Sequence, residues 1–173
     1  AYAGTLTQVA NPHHSGAAAA ALASHTMAAK WIYQVVRVAG GTDYALTAYV
    51  LKNDPQVSSA FLRISWYASL DGTGVELSHT DSTESLTTDS PLWRLLASGS
   101  VCAPVPAHSA RIQLLLMPAV ASGGTVYFDD VTFLGAPSPT STPTATPSNT
   151  PTATATPVPS PTPTPTATPT LTP

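Results

Sequence analysis

The chain has 173 residues, and its 6 Lys and Arg against 9 Asp and Glu give a net charge of −3 and a charged fraction of only 9%. This balance, without any basic cluster, excludes a nucleic-acid-binding protein, because phosphate recognition requires a stripe of Lys or Arg. No apolar run reaches the roughly 18 residues of a membrane span, and the single cysteine, Cys102, excludes an intrachain disulfide.

The chain divides into two parts of different composition. All 15 charged side chains precede residue 131, whereas residues 137–173 hold 14 Thr and 12 Pro among 37 residues. Residues 1–135 have the length of one ordinary folded domain, and residues 136–173 form a low-complexity, Thr/Pro-rich stalk. We therefore predict one compact domain followed by one extended segment.

Predicted β-strands follow one another through residues 1–135. Apolar and polar residues alternate with a period of two, most clearly in 43–52, 58–68 and 108–117, which indicates half-buried strands. Turn sequences such as Asp71-Gly72-Thr73-Gly74 separate the strands. The predicted strands span residues 4–10, 16–24, 30–39, 43–52, 58–68, 74–79, 92–101, 108–117 and 124–134. This spacing predicts an all-β protein, an antiparallel β-sandwich, with Cys102 as a buried free thiol.

The chain lacks the residue patterns of common catalytic sites. Asp129 and Asp130 are neighbours on a predicted strand, so their side chains should point to opposite faces and should not converge on one bond. The 5 histidines have no metal-binding spacing, and neither a G-x-S-x-G elbow nor a Gly-rich phosphate loop is present. We predict that the protein is not an enzyme.

Several segments, taken in order, are similar to one known family. They are WIYQVVRVAGGTDYALTAYV (31–50), LRISWYASLDGTG (62–74), SPLWRLL (90–96), SARIQLLL (109–116) and VYFDDVTF (126–133). Over residues 4–135 they resemble the carbohydrate-binding modules of the galactose-binding-like jelly-roll superfamily. The resemblance implies a jelly roll of two antiparallel sheets, a fold that often carries a structural calcium and in some members binds glycans on its concave face.

The resemblance also implies a calcium ligand. By its position in the last strand, Asp129 matches the family's acidic residue, with backbone oxygens near Gly16 as further ligands. The family opens with an earlier strand whose acidic residue completes the calcium shell, and this sequence begins after that position. We therefore leave open a jelly roll that lacks its first strand, with an incomplete calcium site, since calcium takes about six to eight oxygen ligands.

Four residues are candidates for glycan binding, because sugars stack on aromatic rings and their hydroxyls bind planar polar groups. If Leu62, Ile64 and Trp66 face the core, the residues that alternate with them face outward. The same alternation predicts that Thr47 and Tyr49 face outward on a strand expected to lie beside it. It also predicts that Arg111 and Gln113 face outward on a third strand. The candidates are Tyr49, Arg63, Tyr67 and Gln113.

The simpler alternative is that these residues only cover an exposed sheet face or form a subunit contact. Trp31 and Trp93 are interpreted as residues that pack in the core or at its rim.

The Thr/Pro-rich stalk is expected to be extended. Proline fixes φ and removes a hydrogen-bond donor, so the stalk should adopt a polyproline II conformation rather than a helix or a strand. Closely spaced Thr and Ser beside Pro are typical of O-glycosylated stalks, so covalent O-glycans are expected. The candidate sites are Thr140, Thr142, Thr144, Thr146, Thr150, Thr152, Thr154, Thr156, Thr162, Thr164, Thr166, Thr168, Thr170 and Thr172.

Two functions fit these features, and both are extracellular. The preferred one is a structural protein, a subunit of a glycosylated filament whose copies bind one another by filling an open sheet edge. The alternative is a glycan-binding module of a larger secreted glycoside hydrolase, joined to it by the Thr/Pro linker. The expected partners are thus copies of the chain itself, glycans, or both.

Overall fold

The computed structural model describes residues 4–121 and 123–136, which form β-strands and contain no helix. The strands are β1 (Gly4–Val9), β2 (Ala19–Ser24), β3 (Lys30–Arg37), β4 (Asp43–Leu51), β5 (Val57–Tyr67), β6 (Glu76–Asp81), β7 (Arg94–Ala97), β8 (Val101–Cys102), β9 (Ser109–Pro118) and β10 (Thr125–Gly135). In these two ranges there is accordingly no helix long and apolar enough to cross a membrane. The predicted glycosylation sites of the stalk lie outside the described residues and stay predictions, as does the predicted domain boundary.

The strands pair antiparallel in two sheets. The six-stranded sheet has the order β1-β2-β10-β4-β7, with β8 also paired with β4, and the four-stranded sheet has the order β3-β9-β5-β6. Buried side chains from both sheets form one apolar cluster, so the sheets pack face to face. The predicted all-β jelly-roll sandwich is confirmed.

The observed strands agree with the predicted ones. Each predicted span overlaps an observed strand, including the alanine-rich β2, which is held between β1 and β10 in the six-stranded sheet. The predicted strand at 92–101 is divided into β7 and the short β8, and Gly99 between them has a positive φ of 71°. A residue with positive φ interrupts a strand, and glycine adopts this conformation without steric cost.

The core lies between the inner faces of the two sheets. On β5 the side chains of Leu62, Ile64 and Trp66 are buried, as the alternation predicts. Across from them lie buried residues of the six-stranded sheet: Leu22, Leu46, Ala48, Val50, Val126 and Phe128. This burial is the main favourable term in folding, at roughly 25 cal/mol per Å² of apolar surface.

Cys102 is exposed, so the prediction of a buried thiol is wrong. The residue lies on β8, whose two residues pair with Asp43 and Tyr44 of β4 outside the main strand order. Because β8 is so short and has no strand on its other side among the described residues, Cys102 stays outside the core.

We expect Leu62→Ala to destabilise the domain by about 2–5 kcal/mol, because it removes a fully buried side chain and leaves a cavity. Leu92→Ala is the matched control, since Leu92 is 69% exposed and its truncation should change stability by less than about 0.5 kcal/mol. Urea unfolding of both variants measures the difference. Equal stability losses would contradict the assignment of the core.

Candidate functional site

The outer surface of the four-stranded sheet, which we call the four-stranded face, carries aromatic and polar side chains in rows. Pairing between strands sets these rows, because residues opposite one another on adjacent strands point to the same side. One row is Trp31, Leu115 and Phe61; the next is Tyr33, Gln113, Arg63 and Asp81; the third is Val35, Arg111, Ser65 and His79; the last is Arg37, Ser109, Tyr67 and Glu76.

Two aromatic rings of this face are open to solvent. Both lie on β3, where Trp31 is 43% exposed and Tyr33 is 51% exposed. They are separated by one residue on β3, which places them about 7 Å apart along the strand. Phe61, half-buried on β5, extends the row of Trp31 across the sheet.

Arg111 is held between two tyrosine rings at the other end of the face. Its guanidinium carbon lies 4.7 Å from the ring centroid of Tyr33 and 4.8 Å from that of Tyr67. Cation–π contacts of this kind are favourable and become stronger when water is excluded. Tyr67 is only 5% exposed, and this burial is the main reason why its pKa lies above its ordinary value.

The loop 68–74 covers this end of the face. The Gly72 N–H donates to Ser109 Oγ at 2.9 Å, and that hydroxyl donates to the Ser69 carbonyl at 2.7 Å. Gly72 has a φ of 72°, and a Cβ there would come within 3.1 Å of Val35 Cγ2 and 3.3 Å of Arg111 Nε. The loop therefore requires glycine at this position in order to lie against Arg111.

Polar side chains in the middle of the face are fixed by one another. Arg63 donates through Nε and Nη2 to both carboxylate oxygens of Asp81, at 2.5 and 2.9 Å, and this hydrogen bonding raises the pKa of Arg63. Gln113 Nε2 donates to Ser65 Oγ at 2.7 Å. Such fixed groups offer hydrogen bonds to a ligand at a low entropy cost.

At the β6 edge of the face, Glu76 accepts hydrogen bonds. Its Oε1 lies 2.7 Å from His79 Nδ1, and its Oε2 accepts from the Tyr67 hydroxyl at 3.4 Å. Burial tends to raise the pKa of Glu76, but hydrogen bonds from His79 and Ser65 outweigh it and hold the pKa below its ordinary value.

Three of the four predicted glycan-binding residues meet on this face. Arg63, Tyr67 and Gln113 are within two adjacent strands, although Tyr67 and Gln113 are only 5% and 9% exposed, so the Tyr67 ring is too enclosed to serve as an open stacking surface. Tyr49 is not among them, because β4 belongs to the other sheet. The expectation that the strand of Tyr49 neighbours that of Arg63 is therefore wrong.

The Tyr49 ring is also covered. His14 stacks on it with ring centroids 3.5 Å apart and an angle of 13° between the ring planes, and His14 also meets the ring of Trp93 edge-on at 6.0 Å. Tyr49 is also half-buried, so little of its ring is left for a sugar, whereas Tyr33 stays 51% exposed although Arg111 lies over one face of its ring.

Sequence reasoning assigned Trp31 to the core or its rim and did not single out Tyr33. The signal that could have identified both is the pattern of β3, in which Ile32 lies between the two aromatic residues and faces inward. Applying the parity of β5 to β3 would have placed Trp31 and Tyr33 on the same side as Arg63.

On the six-stranded sheet, two neighbouring carboxylates converge on one loop. Asp129 Oδ2 accepts the N–H groups of His14 and Ser15 at 2.7 and 3.1 Å, and its Oδ1 accepts the N–H of Asp130 at 2.8 Å. Asp130 lies 2.7 Å from His14 Nδ1 and accepts from Ser15 Oγ at 2.5 Å.

The prediction that Asp129 and Asp130 point to opposite faces is thus wrong. The pairing of β10 with β4 shifts register between Asp129 and Thr132, and Asp130 has a φ of 47°. A bulge of this kind interrupts the alternation of side chains. Both carboxylates therefore anchor the loop at His14 and Ser15.

The surroundings of Asp129 do not fit a calcium ligand. The segment beside Gly16 does lie next to Asp129, as the resemblance implied, but it presents N–H donors rather than carbonyl oxygens. Within 4–121 and 123–136, no group of three or more His, Cys, Asp or Glu side chains could hold a metal ion. Calcium binding stays an untested prediction that the donor set does not support.

Comparisons with known proteins agree on the fold. No protein-family model matches the chain, and no curated protein matches it. Among solved structures, the CBM22-1 and GH10 modules of endo-1,4-β-D-xylanase 10B from Clostridium thermocellum, in complex with xylohexaose, are 19% identical with a TM-score of 0.59, over 79% of this chain and 25% of that chain. A structure of the carbohydrate-binding modules from the β-sandwich superfamily is 11% identical with a TM-score of 0.57, over 76% of this chain and 53% of that chain.

A third similar structure is a single domain. The CBM22-2 xylan-binding domain of Paenibacillus barcinonensis Xyn10C is 11% identical with a TM-score of 0.54, over 77% of this chain and 88% of that domain. The chain spans only 25% and 53% of the length of the first two chains it matches. Its fold is the β-sandwich of carbohydrate-binding modules, which confirms the resemblance at the level of fold.

We expect calcium to leave the thermal stability of the domain unchanged, because backbone N–H groups already occupy both carboxylate oxygens of Asp129. Thermal unfolding in excess calcium chloride and in EDTA measures this, since a cation bound to the native state raises the melting temperature. A higher melting temperature in calcium that is lost in Asp129→Asn would contradict the expectation.

We expect the free energy of unfolding of Asp130→Asn to decrease less steeply in acid than that of the unmodified protein. Hydrogen bonds from Ser15 and then His14 lower the pKa of Asp130 in the folded state. A carboxyl group with a lowered folded pKa stabilises the fold above its unfolded pKa of about 3.9, and this contribution is lost as the pH falls through the folded value. Urea unfolding from neutral to strongly acid pH compares the two proteins. Identical dependence of the free energy of unfolding on pH would contradict the role of Asp130 in holding the loop at His14 and Ser15.

Proposed function

We propose that the domain is a non-catalytic module that binds a polysaccharide on the four-stranded face. The observation that carries the proposal is the pair of exposed rings, Trp31 and Tyr33, beside a row of fixed polar groups. Sugar rings have apolar faces that stack on aromatic rings and hydroxyls that need hydrogen-bond partners. Both kinds of partner lie within adjacent strands of this face.

The polar row supplies the directional part of the binding. Gln113 and Arg63 are directly opposite one another on β9 and β5, and Tyr33 is opposite Gln113 on β3. A chain of sugars that crosses the strands along this row would contact the Tyr33 ring and the Arg63 guanidinium, while Gln113, which is only 9% exposed and donates to Ser65 Oγ, lies buried between them. Few precisely placed polar groups in an otherwise apolar surface are typical of ligand sites.

The similar structures support this function. One was solved in complex with xylohexaose, and another is described as a xylan-binding domain, and both contain modules of the same sandwich fold. The first of these chains contains one such module, CBM22-1, together with a GH10 module. By analogy, we place the present domain outside the cell, as a binding module that the Thr/Pro-rich segment joins to a further domain.

The filament subunit preferred in the sequence analysis is less well supported. Its copies would pair through open sheet edges, and β1 and β3 are edge strands of the described sheets. Every open sheet ends in such strands, so this observation does not favour self-association over a separate module. The glycan-binding alternative accounts for the exposed aromatic rings as well.

We expect Tyr33→Ala and Trp31→Ala each to weaken polysaccharide binding roughly tenfold, because each removes a stacking surface. Binding is screened by affinity electrophoresis in gels containing xylan, galactan, cellulose or polygalacturonate, and the affinity for the best polymer is then measured by calorimetry.

Tyr127→Ala is the matched control, since Tyr127 lies between two inward residues of β10 and so points outward from the other sheet. It should bind like the unmodified protein. A wild-type domain that binds no polysaccharide, or an equal loss in Tyr127→Ala and Tyr33→Ala, would overturn the proposal.

A further inference from the structure

Arg111 has no acidic partner in the described part of the chain. Of the four salt bridges found there, one involves an arginine, and that residue is Arg63. The Nε of Arg111 is enclosed and has no hydrogen-bond acceptor. Native proteins seldom leave a guanidinium donor unsatisfied, because the group then loses its hydration without compensation.

The Arg111 guanidinium is nevertheless held in place. The rings of Tyr33 and Tyr67 lie on it, and the turn at Gly72 covers its Nε. Holding the side chain before a ligand arrives reduces the entropy lost on binding. Arg111 is thus a cation with a fixed position at the end of the four-stranded face.

The terminal nitrogens of Arg111 are the part available to a ligand. No hydrogen bond from them to a described residue is present, and they are not among the enclosed unsatisfied atoms as Nε is. Tyr33, which flanks the guanidinium, is half exposed. A group on a sugar stacked at Tyr33 would therefore come within reach of Arg111.

The acidic side chains of this face and of its covering loop are bound to residues other than Arg111. Asp81 is bound by Arg63, and Glu76 is engaged by His79 and the Tyr67 hydroxyl. In the covering loop, Asp71 accepts hydrogen bonds from the Thr73 N–H and hydroxyl. The acidic groups nearby thus already have partners on the protein.

We propose that Arg111 binds the carboxylate of a uronic acid, so that the module prefers acidic polysaccharides to neutral ones. The inference rests on the proposed function and names the substrate class of the same face. A guanidinium presents parallel N–H groups that match the two oxygens of a carboxylate. Hydrogen bonds that involve an ionised group are roughly twice as strong as those between neutral groups, and the bidentate pairing of a guanidinium with a carboxylate adds geometric specificity that a single hydroxyl cannot match.

The test compares polymers that differ only in their carboxylates. Glucuronoxylan and polygalacturonate are each used before and after chemical reduction of the carboxyl groups to neutral alcohols. We expect at least one acidic polymer to bind about tenfold more tightly than its reduced form at low salt. The preference should diminish as salt is added, because salt screens exposed charges.

Variants assign the preference to Arg111. In Arg111→Gln, binding to the acidic polymer should fall to the level of the reduced polymer, while binding to the reduced polymer changes less than about threefold. Arg111→Lys should keep part of the preference, because lysine retains the positive charge but lacks the parallel N–H groups of a guanidinium. Arg94→Gln makes the same charge change on β7 of the other sheet and should bind like the unmodified protein.

Each result supports or overturns the inference that Arg111 binds a carboxylate. Equal binding of acidic and reduced polymers, or a preference that survives in Arg111→Gln, overturns the inference while polysaccharide binding and the proposed function stand. Absence of binding to every polymer overturns the proposed function itself. If thermal unfolding shows that Arg111→Gln is not folded, Arg111→Lys decides, and a preference equal to that of the unmodified protein then refutes the role of Arg111.

Discussion

The alternation of side chains along β5 and β9 is the constraint on which the rest of the structure depends. Burial of Leu62, Ile64 and Trp66 against the six-stranded sheet fixes the register of β5, since a slip of one residue would turn every buried side chain outward. The same register leaves Arg63 and Arg111 on the outside. The core that stabilises the sandwich therefore also determines which polar groups a ligand would meet.

The two outer faces of the sandwich are used differently. On the six-stranded sheet, the carboxylates of Asp129 and Asp130 are satisfied by the loop at His14 and Ser15, whose histidine ring also covers Tyr49. On the four-stranded sheet, rings remain exposed and one guanidinium lacks an acceptor. Satisfied polar groups favour a structural role, whereas exposed rings and unsatisfied donors favour binding.

Period-two patterns in the sequence were enough to predict the strands and the two-sheet sandwich, because burial acts on each strand separately. They could not predict which strands are neighbours, since β4 and β5 are consecutive in the chain yet lie in different sheets. For that reason Tyr49 was grouped with Arg63. The bulge at Asp130 was equally hidden, because its positive φ depends on hydrogen bonds with a loop more than a hundred residues away.

The central claim is that the four-stranded face, and not the opposite one, receives the polysaccharide. An NMR titration of the nitrogen-15-labelled protein with an oligosaccharide of the polymer it binds tests this most directly. The account predicts that the Trp31 indole signal and the backbone amides of β3, β5 and β9 shift together as ligand is added. Shifts confined to the residues around Tyr49 and Asp129 on the six-stranded sheet would contradict it.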